Sequence, residues 1–269
     1  SNVVILENTD EIHEVAYKGV IDTMGRIILC GYVQIPGQDQ DAALWRYFLD
    51  GTLDTSFGIN GRITWDSPMG YHDYLYKAHI NPDGTIMVAG GASNLPPSNN
   101  PYDAPSILMG KFDSNGQPVI SFSPNGFKIT GINNSIWQHY TLDSAFDSSG
   151  NLLTSGNPIG SDFDLGVIRT TNSGNIDTTF GSGGYFQFDS SQAPLNEAAN
   201  EEYGSTILVD SGNIYITGMR DNTSDSIIVK LQESNGAIVD AMSGIPFKNR
   251  HRASFIRGNY IYMAGYTVP

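Results

Sequence analysis

Four of the five histidines of this chain fall in similar places. His13 and His72 stand at the same distance before two similar segments that end at Gly31 and Gly90. Neutral imidazoles offer nitrogen ligands to transition metals, and a glutamate adds an oxygen ligand. A ring of such residues predicts a ligand-binding mouth. The predicted binding residues are His13, His72, Trp137, His139, Glu201 and His251.

A plainer interpretation of the same histidines stays open, in which the imidazoles satisfy backbone groups of their own loops. The sequence contains no H-E-x-x-H motif and no C-x-x-C pair, so no metal and no cofactor is predicted. Three Asx-Gly stretches, at 113–116, 147–151 and 210–213, lack the spaced carboxylates of a calcium loop. They are typical of hairpin turns.

Three acidic residues are candidates for a second function, an enzyme that acts on glycosides. Asp73, Asp143 and Glu201 are candidates for a glycoside-active hydrolase or lyase, which needs two carboxyl groups about 5–10 Å apart. A chain with 28 acidic residues offers such triplets by chance. The sequence also lacks a G-x-S-x-G motif, and the glycines at 181–184 lack the Lys-Ser/Thr of a phosphate loop. We therefore predict no catalytic residues and keep the glycoside-active enzyme as the alternative.

Charge and composition argue against several classes of binding partner. The net charge of −14 repels nucleic acids and anionic membrane surfaces. A single cysteine, Cys30, excludes an internal disulfide, and its place is taken by other small residues in related segments. No apolar run reaches the roughly 20 residues that span a bilayer. Few lysines and many Asn, Ser, Thr and Gly are typical of extracellular, periplasmic or cell-surface proteins.

These residues must be positioned by a repeated hairpin. Residues 78–90 read AHINPDGTIMVAG, which is an apolar strand, a tight turn and a second apolar strand. The second half recurs about every sixty residues, with marker glycines at Gly31, Gly90, Gly156, Gly218 and Gly265. A period above forty residues with four short strands per copy indicates propeller blades.

The first complete copy shows the expected blade. Its strands, which we call A to D from the axis outward, are predicted at 15–21, 26–31, 42–49 and 61–65. Phe57, Phe122 and Phe180 occupy equivalent points of the C–D loop and are expected to pack that loop on its own blade. Two ion pairs, Arg46–Asp54 and Arg169–Asp177, are expected to fix the same loop.

The ends of the chain complement each other. The segment at 2–7 aligns with a D strand, and 254–265 supplies only A and B strands. We therefore predict an all-β, five-bladed β-propeller over residues 1–269, a single domain whose closing blade is shared by the N- and C-terminal strands. Joining the two ends removes exposed sheet edges. The one helix candidate is Pro194–Tyr203.

The sequence resembles a known repeat family. NPDGTIMVAG at 81–90, DGTLDTSFGINGRI at 50–63 and the basic residue that ends strand C are similar to the bacterial delta-60 repeat β-propellers. The resemblance implies a propeller, and a bacterial protein that is often secreted or surface-associated. It implies no reaction, because turn and packing residues carry it.

Together these observations predict a non-catalytic interaction module. The B–C and D–A loops vary in length and should lie on one face, where a protein or glycan ligand would bind. We expect a monomer that binds neither nucleic acid nor membrane.

Overall fold

The computed structural model describes residues 13–34, 36–68, 72–92, 106–130, 143–156, 165–191, 194–195, 202–220, 226–245 and 251–265. All regular structure in these ranges is β-strand, which confirms the all-β prediction. Contacts divide the chain into two compact units, residues 1–132 and residues 133–269. Within the described ranges there is no helix with the length and hydropathy needed to cross a membrane.

The first unit holds two four-stranded antiparallel sheets with strands in sequence order. The first sheet contains β1 (His13–Ile21), β2 (Ile27–Gln34), β3 (Gln40–Tyr47) and β4 (Arg62–Trp65). The second sheet contains β5 (Asp73–Ile80), β6 (Ile86–Ala92), β7 (Ser106–Phe112) and β8 (Phe127–Thr130). The four strands predicted for the first copy are thus confirmed, with ends that differ by a few residues.

The second unit holds two more sheets of this kind and a shorter one. The third sheet contains β9 (Asp143–Phe146), β10 (Leu152–Gly156), β11 (Leu165–Thr170) and β12 (Tyr185–Phe188). The fourth contains β13 (Glu202–Asp210), β14 (Asn213–Arg220), β15 (Ser226–Gln232) and β16 (Ile238–Ile245). The fifth contains β17 (His251–Arg257) and β18 (Tyr260–Gly265).

The core of the first unit lies between its two sheets. Ile28 and Leu44 of the first sheet and Leu75 and Val88 of the second are fully buried in one cluster. Strands β6 and β7 are buried on both faces, which explains their nearly continuous apolar sequences. Burying each large apolar side chain contributes about 1.5–3 kcal/mol. A separate cluster around Val167, Phe180 and Ile216 forms the core of the second unit.

The marker glycines have a steric cause. The register of β1 against β2 shifts between Ala16 and Lys18, and β5 and β13 show the same irregularity against their partners. This bulge brings the backbone of the first strand close to the second, so that a Cβ on Gly31 would lie 1.7 Å from the Val15 carbonyl oxygen. At Gly90 the corresponding distance, to the Tyr74 carbonyl oxygen, is 1.8 Å. Only glycine fits there.

Of three further predictions about the fold, one is wrong and two remain predictions. The helix candidate is wrong at its described ends, because Pro194 and Leu195 form a turn and Glu202 and Tyr203 begin β13. The N-terminal strand at 2–7 lies outside the described residues, so closure by that strand stays a prediction. The single domain also stays a prediction, because the contacts divide the chain into two compact units.

Candidate functional site

Two connections of the first unit meet at one edge of the first sheet, by which we mean the edge formed by the ends of its strands. Asp39 and Asp41 flank the start of β3, and Asp66 directly follows β4. Because β3 and β4 are antiparallel and Ala42 pairs with Trp65, Asp41 and Asp66 stand opposite each other at the end of this ladder. Asp73 then begins β5. This edge carries the B–C and D–A connections, where the sequence predicts ligand binding.

The three aspartates form a tight cluster. One carboxylate oxygen of each of Asp39, Asp41 and Asp66 lies within 4.8 Å of the others. Asp39 and Asp41 are partly buried, and Asp66 is exposed. We call Asp39, Asp41, Asp66 and the neighbouring Asp73 the acidic junction.

Two hydrogen bonds hold the acidic junction in place. The backbone N–H of Gln40, between Asp39 and Asp41, donates to Nδ1 of His72 at 3.1 Å. The backbone N–H of Ser67 donates to Oδ2 of Asp73 at 2.7 Å. The first bond ties the B–C connection to the residue that precedes β5, and the second ties β5 to the residue that follows Asp66.

The junction is electrostatically unfavourable as a set of free carboxylates. Burial raises the pKa of Asp41 to about 6, and the charges of Asp66 and Asp39 add to the shift. Burial also raises the pKa of Asp73 to about 8 despite its hydrogen bonds with Ser67, with Asp66 and Asp39 contributing further. The pKa of Asp66 is raised by burial and by Asp39. Each cause disfavours the charged form.

Two carboxylate oxygens of the junction are buried and find no hydrogen-bond partner within the described part of the chain. Among the described residues, Oδ2 of Asp39 and Oδ1 of Asp73 have none. Asp73 is fully buried. A buried, unpaired carboxylate oxygen is costly, so its presence in a native fold calls for a ligand or another explanation.

The opposite edge of the first sheet has its charges paired. Arg46 is fully buried and donates from Nε to Oδ2 of Asp54 at 2.8 Å, which confirms the predicted ion pair. Its Nη1 donates to the carbonyl oxygen of Ser114 in the second sheet. Its guanidinium carbon lies 4.6 Å from the centre of the Phe57 ring. This arginine therefore joins two sheets.

The phenylalanine of the C–D loop packs differently from the expectation. Phe57 is fully buried, but a Cβ on Gly116 of the second sheet would lie 2.9 Å from its ring. The ring therefore lies against the neighbouring sheet as well as its own. Phe122 is only partly buried, in a copy where Lys111 and Val119 replace the arginine and aspartate.

A polar cavity of about 660 Å³ lies between the third and fourth sheets of the second unit. Its lining includes Asp147, Arg169 and Glu233. Arg169 pairs with Asp177 at 2.9 Å, as predicted, and lies 3.6 Å from Asp147. Glu233 accepts a hydrogen bond from the backbone N–H of Ser148. Arg169 is therefore paired with two aspartates and bonded to the Glu233 carbonyl oxygen, so the cavity is part of the same arrangement that joins neighbouring sheets.

The predicted histidine ring is only partly described. His13 is exposed at the start of β1, and His72 is engaged by Gln40. Trp137, His139 and Glu201 lie outside the described residues, as does the side chain of His251. The ring as a binding site therefore stays a prediction.

Of the three carboxylates considered for glycoside chemistry, the two described ones, Asp73 and Asp143, are held by backbone groups. Asp73 accepts from Ser67, and Asp143, 3% exposed, accepts from the backbone N–H of Ile207 at 3.3 Å. Sequence reasoning did not single out Asp39, Asp41 and Asp66. The pattern that marks these three aspartates is an acidic residue after a D strand, opposite acidic residues at the start of a C strand. It can be recognised only when the register of the two strands is known.

Comparisons with known proteins agree on the architecture. The family model of a β-propeller domain of unknown function, DUF5122, matches residues 25–57, which supports a β-propeller repeat family. No curated protein matches the sequence. Several solved structures of low sequence identity share the architecture.

Three of these structures illustrate the likeness. The PQQ-bound aldose sugar dehydrogenase of Streptomyces coelicolor is 14% identical, with a TM-score of 0.53 over 88% of this chain and 68% of that one. A protein of unknown function from Dyadobacter fermentans DSM 18053 is 9% identical, with a TM-score of 0.55 over 93% and 73%. A glucose dehydrogenase is 13% identical, with a TM-score of 0.51 over 88% and 74%. Such low identities concern the fold alone.

Proposed function

We propose that this chain is a non-catalytic binding module, secreted or surface-associated, whose ligand docks at the edge that carries the B–C and D–A connections. The observation that supports it is the acidic junction, where buried carboxylate oxygens stand without hydrogen-bond partners among the described residues. At the opposite edge, Arg46 and Asp54 satisfy each other. Unsatisfied acceptors favour a protein or glycan ligand that presents hydroxyl, ammonium or guanidinium donors.

The proposal is tested by a glycan array and by pull-down from extracellular protein, each with matched variants. An Asp41→Asn, Asp66→Asn double variant removes two of the three charges of the cluster without changing side-chain size. Asp210→Asn is the control for a single charge change, because Asp210 is an exposed aspartate at the end of β13. A ligand retained by wild type and Asp210→Asn but not by the double variant supports the proposal. A ligand retained equally by all three contradicts it.

One observation favours a glycoside-active hydrolase or lyase as the second function. The separation of up to 4.8 Å between carboxylate oxygens of Asp39, Asp41 and Asp66 is close to the roughly 5 Å of retaining glycosidases. The raised pKa of Asp41, about 6, suits a general acid, with burial as its main cause. Incubating the protein with polysaccharides and measuring new reducing ends or unsaturated products tests this function. Product that persists in Asp41→Asn would exclude these residues.

The finer architecture belongs to the same proposal: a monomeric, five-bladed propeller of the delta-60 type, closed by the N-terminal strand. The two-stranded fifth sheet supports it, because an isolated pair of strands is at best marginally stable. Such a sheet favours a further strand beside it. Removing residues 1–7 should lower the melting temperature by several degrees. An unchanged melting temperature would contradict closure by this segment.

A further inference from the structure

We infer that the acidic junction binds a hard divalent cation of the calcium type through Asp39, Asp41 and Asp66. The inference names an ion for the site of the proposed function. It rests on the proposed function only for the biological role of that ion. Cation binding itself is measured without any other ligand, so the two can fail separately.

The spacing of the carboxylates fits one ion. Calcium binds oxygen at about 2.3–2.6 Å, so two ligands of one ion stand at most about 5 Å apart. The three carboxylate oxygens meet this limit, since all lie within 4.8 Å of one another. Calcium takes six to eight oxygens. Three aspartates therefore leave positions open for water or for hydroxyl groups of a bound ligand.

Asp73 is a second and independent indication of a cation. It is fully buried, and its Oδ1 has no hydrogen-bond partner in the described part of the chain. Its other oxygen is held by the N–H of Ser67, the residue after Asp66, so the carboxyl group lies beside the cluster. Because Ser67 adjoins Asp66, a cation at the cluster would lie near this carboxyl group and offset the repulsion among these acids.

The hydrogen bonds around the cluster resemble the outer contacts that orient metal ligands. His72 accepts from the N–H of Gln40, which fixes the backbone between Asp39 and Asp41. Ser67 and Asp73 fix the connection that carries Asp66. Such partners set ligand orientation before the ion arrives.

A comparison within the chain separates this cluster from ordinary acidic turns. Asp189 follows β12 as Asp66 follows β4. However, Asp189 accepts hydrogen bonds at 2.7 Å from both the N–H and the hydroxyl of Ser191. Asp83 likewise caps Thr85 in its turn. These aspartates have local structural roles, whereas the junction brings three carboxylates from two connections to one point.

The first experiment measures ion binding directly. The full chain is freed of metal with a chelator and titrated with calcium chloride by calorimetry, and with terbium by luminescence. Trp65 adjoins Asp66 in the sequence and is a suitable sensitiser for a terbium ion there. We expect saturable binding of one ion, and displacement of terbium by calcium at lower concentration than by magnesium.

Matched variants assign the binding to the junction. Asp39→Asn, Asp41→Asn and Asp66→Asn should each weaken calcium binding by at least about tenfold. Asp210→Asn should bind as wild type does. Weak heat that is the same in wild type and all variants would overturn the inference, because it would come from the general negative charge of the protein. Binding that is lost in Asp210→Asn as well would also overturn it.

Thermal unfolding guards against a variant that simply misfolds. Without calcium, Asp66→Asn should melt at or above the wild-type temperature, because it relieves repulsion between carboxylates. With saturating calcium, wild type should melt above Asp66→Asn, because an ion that binds only the folded state stabilises it. No crossing of the two curves would contradict the site. If this crossing occurs but no glycan or protein ligand depends on the junction, the cation site stands and the proposed function fails.

Discussion

Nη1 of Arg169 donates a hydrogen bond to the carbonyl oxygen of Glu233 at 2.6 Å and so joins the third sheet to the fourth. The same guanidinium bonds Asp177 through Nε and the Ser234 carbonyl oxygen through Nη2. Arg46 repeats the arrangement in the first unit, with Asp54 and Ser114. One side chain therefore fixes its own C–D loop and the neighbouring sheet at once.

Removing this arginine should be costly. Arg169→Met leaves Asp177 and the carbonyl oxygens of Glu233 and Ser234 without their donor, and we expect a loss of about 3–5 kcal/mol in unfolding free energy. Lys230→Met is the control, since Lys230 occupies the corresponding place in β15 and is only partly buried. That variant should lose less than about 1 kcal/mol. Urea denaturation measures both, and equal losses would show that the arginine does not join the sheets.

The Arg169–Asp177 pair predicts that the free energy of unfolding falls in acid. Hydrogen bonds from the Thr179 hydroxyl and backbone, together with Arg169, hold the pKa of Asp177 below its usual value, although burial opposes them. A carboxylate with a lowered folded-state pKa contributes stability above its unfolded pKa, near 3.9. This contribution is lost as the pH falls from there through the folded-state pKa.

Asp177→Asn should therefore flatten the fall of unfolding free energy below about pH 4 relative to wild type. Asp210→Asn is a suitable control for the charge change. Denaturation curves at a series of pH values provide the measurement. If Asp177→Asn keeps the full wild-type slope in acid, the ion pair does not set it.

Cys30 should be unreactive in the folded protein. Burial raises the pKa of its thiol to about 12, and its Sγ lies 3.3 Å from the Lys18 carbonyl oxygen, to which it donates. The thiolate is the reactive species, so very little is present at neutral pH. Ellman's reagent should modify almost none of the native protein and one thiol per chain in denaturant. Rapid modification of the native protein would contradict this environment.

The repeated four-stranded antiparallel sheets are predictable from the sequence because their constraints are local. Gly31 and Gly90 recur since a bulged strand passes over each of them, and a repeated steric need leaves a repeated residue. The spacing from Arg46 to Asp54 likewise lies within one copy. The partner of Arg46 in the second sheet could not be predicted, because Ser114 contributes a backbone carbonyl, which any residue supplies. The packing of Phe57 against the Gly116 turn cannot be predicted for a similar reason.

The acidic junction could not be predicted from spacing. Asp41 and Asp66 come together because Ala42 pairs with Trp65, and a shift of one residue in this register would turn the two side chains away from each other. Histidines at a repeated place were more visible in the sequence. His72 does lie beside the junction, but as an acceptor for the Gln40 N–H.

The last prediction concerns the glycine that defines the repeat. Gly90→Ala would place a Cβ 1.8 Å from the Tyr74 carbonyl oxygen and 2.8 Å from Cα of Leu75, both backbone atoms. The bulge between Leu75 and Lys77 cannot persist with that side chain, so the second sheet must repack. We expect a loss of about 3 kcal/mol or more.

Gly84→Ala separates this clash from ordinary backbone strain. Gly84 has a φ of 80° in its hairpin turn, and an added Cβ there meets nothing within 4 Å. Its alanine variant should lose only about 1–2 kcal/mol, the cost of the left-handed conformation. Guanidinium denaturation of the two variants gives the comparison. A Gly90→Ala protein as stable as Gly84→Ala would mean that the bulge yields easily, and that the marker glycines recur for another reason.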